Sequence, residues 1–155
     1  MAEKKSEKKT ERRIKLAGLR GKQDAGKWHL VDAKGKVLGR MATQIARLLM
    51  GKNKTTFLPY WESGDHVVVI NALDVRVTGN KREEKLYDHY SGYPGGLKQY
   101  NFEKLMDKDP REIVIRAVKG MIPKNRLGDR MMTRLLVYPG PDHKHIAQNP
   151  TPVNI

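Results

Sequence analysis

The 155-residue chain contains no cysteine. This absence excludes disulfides, cysteine-ligated zinc sites and thiol catalysis, and it fits a reducing compartment. The sequence also lacks long apolar runs: none approaches the ~20 residues of a membrane-spanning helix, and the N-terminus has no apolar signal-peptide core. Glu3, Glu7 and Glu11 argue against an acid-poor organellar transit peptide. The sequence therefore predicts a cytoplasmic protein.

Acidic residues are too few to balance the basic ones. The chain has 31 Lys and Arg against 17 Asp and Glu, a net charge of +14 and a pI near 10.0. Clustered cations on a folded domain favour contacts with phosphate backbones. An anionic membrane is the rival polyanion, but the sequence shows no basic helix with an exposed aromatic face. We therefore expect a nucleic acid partner and no membrane.

Residues 1–27 differ in composition from the rest. They hold ten Lys and Arg against four acidic residues, with few apolar side chains. Such a segment cannot offset its own ordering entropy, so we predict a disordered basic arm. A solubilising tail or a nuclear-import signal would have a similar composition. Residues 28–155 are predicted to form one globular domain with an extended tail from about residue 141.

The apolar pattern of the body alternates between strands and helices. It predicts strands at 28–31, 67–70 and 136–138 and helices at 37–50 and 109–119. The unbroken apolar run at 67–70 is typical of a central strand covered on both faces. We therefore predict an α/β sandwich with a small, largely parallel central sheet, plus basic N-terminal and extended C-terminal tails.

A cationic elbow, residues 120–134, is predicted to follow the helix at 109–119. Asp109 and Pro110 start that helix, and Gly120 ends it. In the short second helix that comes next, arginines recur every fourth residue and therefore share one stripe. The basic residues of the elbow are Lys124, Arg126, Arg130 and Arg134. Cations fixed in so small a space are suited to gripping a polyanion.

The helix at 37–50 has a second basic face. Arg40 and Arg47 lie on its outer side, and Lys52 and Lys54 continue the charge past its end. An ordinary solvated face is the alternative. Because no acidic residue balances these cations, whereas a merely soluble helix usually shows both signs of charge, we favour contact with a polyanion.

The next segment offers two further candidates. Lys81 and Arg82 lie at the tip of a turn that follows a short strand predicted at 75–77. A stretch rich in Tyr and Gly, 86–100, then contains aromatic side chains that could stack on unpaired bases or pack a hairpin, and packing is the favoured interpretation. These side chains are Tyr87, His89, Tyr90 and Tyr93.

Catalytic and metal-binding patterns are weak. Residues 51–55, GKNKT, resemble a phosphate-binding loop but lack its earlier glycine and the Ser or Thr directly after the lysine. No serine lies in a nucleophile-elbow context. His143 and His145 with Asp142 could chelate a metal, but neutral histidines that donate to phosphate or backbone are favoured. We therefore expect neither an enzyme nor a protein with a cofactor, metal or small-molecule substrate.

The motifs from residue 28 onward resemble those of the bacterial-type large-subunit ribosomal protein L13 family. The matching stretches are WHLVDAKGKVLGRMATQIARLLMGKNK, SGDHVVVINA, VTGNKREEKLYDHYSGYPGGLK and VKGMIPKNRLGDRMMTRLLVYPG, followed by DHKHIAQ. The resemblance implies a three-layer α/β/α sandwich. It also implies a non-catalytic protein that binds 23S-type rRNA, joins the large subunit early in assembly and contacts neighbouring ribosomal proteins. A regulator that binds messenger RNA off the ribosome is the alternative.

The RNA-facing positions come partly from the residues and partly from this resemblance. Basic residues spread over several loops and helix faces suit a large folded RNA better than a DNA groove. The resemblance implies RNA contacts at Lys52, Lys54, Lys81, Arg82, Lys119, Lys124, Arg126, Arg130, His143 and His145. The charge pattern adds Arg40, Arg47 and Arg134. The arm at 1–27 is longer than the short lead expected in the family, and the resemblance does not cover it.

Overall fold

The computed structural model describes residues 26–155, so the predicted arm lies outside the described residues except for its last two positions. The strands are β1 (Trp28–Asp32), β2 (His66–Ile70), β3 (Leu86–Tyr90), β4 (Leu97–Asn101), β5 (Leu135–Val137) and β6 (Thr151–Pro152). The helices are α1 (Leu38–Met50), α2 (Lys81–Glu84), α3 (Phe102–Lys108), α4 (Pro110–Lys119) and α5 (Arg126–Met132).

The central sheet is parallel, with the strand order β5-β2-β1-β6. Val67, Val68 and Val69 of the interior strand β2 are fully buried, as the unbroken apolar run predicted. The register pairs Val31 with Val69, and successive side chains point to opposite faces. The α/β class and the largely parallel central sheet are confirmed.

Helices cover one face of this sheet. α1 and α4 pack against each other and against the face that carries Val31, Val67 and Val69, and together they form one hydrophobic cluster. The opposite face carries Trp28, and the C-terminal segment lies against it, with the ring of His145 stacked at 5.3 Å. Part of the C-terminal tail, predicted from about residue 141, therefore covers this second face of the sheet.

Helix α1 follows its predicted pattern. Gly51 ends it in the left-handed conformation, with φ 73°, and its N–H donates to the Leu48 carbonyl, so glycine is favoured at this position. The five side chains predicted to face inward are all buried: Leu38, Met41, Ala42, Ile45 and Leu49. The basic side chains on the other side of the helix are thereby presented to solvent.

One prediction about residues 75–100 needs correction, and the packing predicted for the Tyr-rich stretch holds only in part. Residues 75–77 form no strand, because the segment crosses the start of α1 and only Arg76 makes a bridge, to Val37. The Tyr-rich stretch is an antiparallel hairpin of β3 and β4, separate from the central sheet. Packing is the correct interpretation for buried Tyr87, whereas Tyr90 and Tyr93 are 62% and 75% exposed.

Helix α5 is shorter than predicted. It ends at Met132, with Thr133 as its C-cap, so Arg134 does not share a helical stripe with Arg126 and Arg130. The reason is that the Arg134 carbonyl accepts the N–H of Val67 at 3.0 Å and already belongs to the sheet. An interpretation from four-residue spacing alone could not detect this pairing.

Candidate nucleic-acid interface

Helix α4 supports the elbow. Asp109 caps its N-terminus, with the carboxylate accepting the Arg111 N–H at 3.1 Å, and Pro110 occupies the first helical position, as predicted. Its inner side chains Ile113, Val114 and Val118 are fully buried. The residues that follow are therefore attached to a helix with little freedom to move.

The elbow, residues 120–134, has its own internal supports. Ile122 is buried, and the Asn125 side chain accepts the Gly128 N–H at 2.8 Å, which caps the start of α5. A Cβ on Gly128 would lie 2.0 Å from the Pro123 carbonyl oxygen, so only glycine permits this close approach. The loop and helix α5 are thus held in one arrangement.

Three of the four elbow cations point outward. Lys124, Arg126 and Arg130 are exposed, as is Lys119 at the end of α4. None of Lys119, Lys124, Arg126 and Arg130 forms an ion pair with any residue between 26 and 155. Their charges are therefore available to an external polyanion, and the rigid support lowers the entropy lost when they bind one.

The structure gives two of the predicted RNA-binding residues internal partners. Arg134 is half-buried, donating to the Gly64 carbonyl at 2.6 Å and pairing with Glu62 at 2.8 Å. Lys54 pairs with Asp65 at 2.6 Å. Both side chains brace the loop before β2 and have less freedom to reach an external phosphate than the exposed cations have.

Asp65 anchors the loop before β2, and it was not identified as a site from the sequence. Its buried carboxylate accepts the Lys27 N–H at 2.9 Å, lies 3.2 Å from His29 Nε2 and pairs with Lys54. Burial alone would raise the pKa of Asp65, but the hydrogen bonds from Lys54, Lys27 and His29 outweigh it and lower the pKa below its ordinary value. Sequence showed only an isolated acid between Gly64 and His66.

The basic face of α1 is exposed beside the elbow. Arg40, Arg47 and Lys52 are solvent-accessible and form no ion pair within the described part of the chain. The Thr43 hydroxyl on the same helix donates to the Gly39 carbonyl at 2.9 Å, and its oxygen lies 3.5 Å from the sulfur of Met121 in the elbow. The structure therefore places two regions that were predicted separately next to each other.

The turn at 81–82 is partly neutralised. Arg82 pairs with Glu103 at 2.7 Å, but both side chains are more than half exposed, so solvent weakens the pair. Lys81 has no acidic partner among the described residues, and it lines one groove with Arg40, although 41 positions separate them in the sequence. The fold therefore brings Arg40 and Lys81 together.

The comparison with known proteins decides the family. The family model described as Ribosomal protein L13 matches residues 26–144. This chain belongs to the ribosomal protein L13 family. The resemblance seen in the sequence motifs is thereby confirmed.

Relatives within the L13 family are similar over most of their length. Large ribosomal subunit protein uL13 of Thermoanaerobacter sp. (strain X514) is 55% identical over 129 residues, 83% of this chain and 90% of that protein. The uL13 protein of Caldanaerobacter subterraneus subsp. tengcongensis is 57% identical over 129 residues, which again cover 83% of this chain and 90% of that protein. That of Synechocystis sp. is 54% identical over 124 residues, 80% of this chain and 82% of that protein.

The L13 family match ends at residue 144, but the chain beyond it completes the fold. The His145 ring stacks on Trp28 and its Nε2 lies 2.9 Å from the Tyr138 hydroxyl, while its N–H donates to His143 Nδ1 at 3.2 Å. Both histidines were predicted to contact RNA, and the structure gives each a partner within the chain. No described helix is long and apolar enough to cross a membrane.

His66 makes the same aromatic stack sensitive to pH. Its ring lies 4.4 Å from that of Trp28 and nearly parallel to it. Burial lowers the pKa of His66, and the nearby positive charge of Arg134 lowers it further. The folded pKa of His66 lies below its unfolded value of 6.5. The contribution of His66 to the free energy of unfolding is therefore complete above pH 6.5 and declines as the pH falls towards the folded pKa.

We expect His66→Phe to reduce this decline, because phenylalanine can stack on Trp28 but cannot take up a proton. The measurement is the melting temperature at about pH 7.5 and about pH 5.5, on either side of the usual histidine pKa. The wild-type protein should lose more stability between the two than the variant. Equal losses would show that the pH dependence arises elsewhere.

Proposed function

We propose that this chain is a structural constituent of the large ribosomal subunit that binds 23S-type rRNA by shape and phosphate contacts. The observation that supports this most directly is a set of exposed cations at the end of α4 and in the elbow. Lys119, Lys124, Arg126 and Arg130 form no ion pair with residues 26–155. Family membership adds support, because the curated relatives are themselves called large ribosomal subunit proteins.

The mechanism is electrostatic and needs no chemical step. Each Lys or Arg that neutralises a phosphate releases condensed counterions, which favours binding and makes it sensitive to salt. The sheet and the helices fix the distances between cations, so an RNA must present its phosphates in a matching shape. By holding converging RNA segments, the protein would support early subunit assembly and meet neighbouring ribosomal proteins in the cytoplasmic ribosome.

The proposal distinguishes direct contacts from supporting residues. The direct contacts are Lys119, Lys124, Arg126 and Arg130 together with Arg40, Arg47, Lys52 and Lys81. Arg82 and His143 are also proposed to contact RNA, but each already has a partner within the chain. Lys54, Arg134 and His145 act chiefly by holding the protein surface in shape. No observation favours the alternative of a messenger RNA regulator acting off the ribosome.

The test is a variant with Lys124, Arg126 and Arg130 all changed to alanine. Binding to a 23S-type rRNA transcript is measured over a range of salt concentrations. The slope of log K against log salt should become less steep by about 2.1–2.7, because each of the three lost phosphate contacts removes about 0.7–0.9. Thermal unfolding should change little, since these side chains are exposed.

A matched control removes three positive charges elsewhere. Lys34, Lys98 and Lys104 are exposed, lie outside the elbow and form no ion pair in residues 26–155, so their alanine variant has the same net charge as the elbow variant. Its salt slope should remain close to the wild-type value. If the elbow variant also kept the wild-type affinity and slope, the proposed interface would be wrong.

A further inference from the structure

A groove of about 640 Å³ lies between the start of α1, the segment 77–85 and the end of α4. Four of its lining side chains are basic: Arg40, Lys81, Lys85 and Arg116. None of its lining residues is acidic. Three elements that are distant in sequence therefore contribute positive charge to one concave surface.

The four cations are not equivalent. Arg116 is held in place, because its guanidinium donates to Glu112 at 2.6 and 2.9 Å and to the Asp88 carbonyl at 3.1 Å. Arg40, Lys81 and Lys85 are exposed and have no ion-pair partner in the described chain. Arg116 is thus neutralised, and the groove has three positive charges without an acidic partner. Of these, the Lys85 ammonium lies 5.3 Å from the centre of the Tyr87 ring.

The remaining surface of the groove suits a sugar-phosphate chain. Thr78 offers a hydroxyl, and Leu38 and Val77 contribute apolar lining. The first turn of α1 contains no acidic residue, so nothing there repels an anion. The groove also runs to Gly120 and Met121, which are the first residues of the elbow.

We propose that this groove binds the phosphodiester backbone of an RNA strand that continues onto the elbow. This inference rests on the proposed function, and it adds Lys85 as a phosphate contact and Arg116 as a positioning residue. An extended polyanion fits better than a single small anion, because the available cations come from α1, α2 and the residue after α2 and lead towards the elbow. Successive phosphates would meet successive cations along this path.

The test compares two double variants that lose the same charge. Lys81→Ala with Lys85→Ala removes two groove cations, and Lys98→Ala with Lys104→Ala removes two exposed lysines outside it. On a 23S-type rRNA transcript, the groove variant should lower the salt slope by about 1.5, since each lost phosphate contact removes about 0.7–0.9. The control variant should leave the slope unchanged.

A single variant guards against misfolding. Arg40→Ala replaces an exposed side chain on α1 with the best helix former, so the fold should be kept and the slope should fall by about 0.8. If the slopes of the groove variants matched the wild-type slope while the elbow variant differed, the groove and the RNA contacts of Arg40 and Lys81 would be wrong, whereas rRNA binding through the elbow would stand. If the wild-type protein failed to bind the transcript at low salt, both would fail.

Free phosphate compounds provide the last arm of the test. Adenosine monophosphate and inorganic phosphate should displace the transcript no more than sodium chloride of equal ionic strength does. Tight binding of adenosine monophosphate that required Lys81 and Lys85, combined with an unchanged RNA slope, would overturn the assignment to an RNA backbone. Equal slope losses in the groove and control double variants would overturn it as well.

Discussion

Asp65→Ala is expected to lower the free energy of unfolding by about 3–5 kcal/mol, the usual cost of removing one partner from a buried ion pair. Its side chain is 8% exposed, and the carboxylate contacts Lys27, His29 and Lys54. Alanine would leave the Lys54 ammonium and the Lys27 N–H without their acceptor in a partly buried place. Urea denaturation at neutral pH measures the change.

A control for this loss is Asp142→Ala. Asp142 is exposed and forms no ion pair with residues 26–155, so its removal should change the free energy of unfolding by less than about 0.5 kcal/mol. If the two variants were equally stable, the Asp65 cluster would not support the fold.

The same cluster predicts how the wild-type protein responds to strong acid. The folded pKa of Asp65 lies below the ordinary value of 3.8, so its contribution is complete above that pH and is lost as the pH falls through the folded pKa. The difference in stability between wild type and Asp65→Ala should therefore narrow below about pH 4. The declines attributed to His66 and to Asp65 occupy separate pH ranges, which lets the two be distinguished.

Local patterns in the sequence predict the parts of the fold that depend on local chemistry. The start of α4 follows from Asp109 and Pro110, and the end of α1 follows from Gly51, because capping involves neighbours within a few residues. The central position of β2 follows from its unbroken apolar run, since only a strand buried on both faces tolerates one.

What the sequence could not predict depends on contacts between distant residues. Arg134 has the same spacing as Arg126 and Arg130, yet it pairs with Glu62, which only the folded chain brings close. Lys52 and Lys54 look alike in sequence, but only Lys54 reaches the buried carboxylate of Asp65. A charge pattern therefore identifies cations without showing which of them already have partners.

Gly128→Ala should destabilise the protein, although alanine is the better helix former. Gly128 lies within α5, and helix propensity alone would predict a gain of about 1 kcal/mol. The new Cβ, however, would lie 2.0 Å from the Pro123 carbonyl oxygen and 3.2 Å from the Ile122 side chain. Because that oxygen belongs to the backbone, the loop or the helix must move, and we expect a net loss of about 1–3 kcal/mol in the free energy of unfolding.

The matched control is Gly39→Ala in α1. A Cβ at Gly39 would meet nothing within 4 Å, so this variant should gain up to about 1 kcal/mol from helix propensity. Opposite signs for the two substitutions in urea denaturation would show that packing, rather than propensity, selects glycine in the elbow. Gly128→Ala should also weaken binding to the rRNA transcript, because displacing the loop separates Lys124 from Arg126 and Arg130. A variant that was stabilised and still bound normally would show that the elbow does not need this close approach.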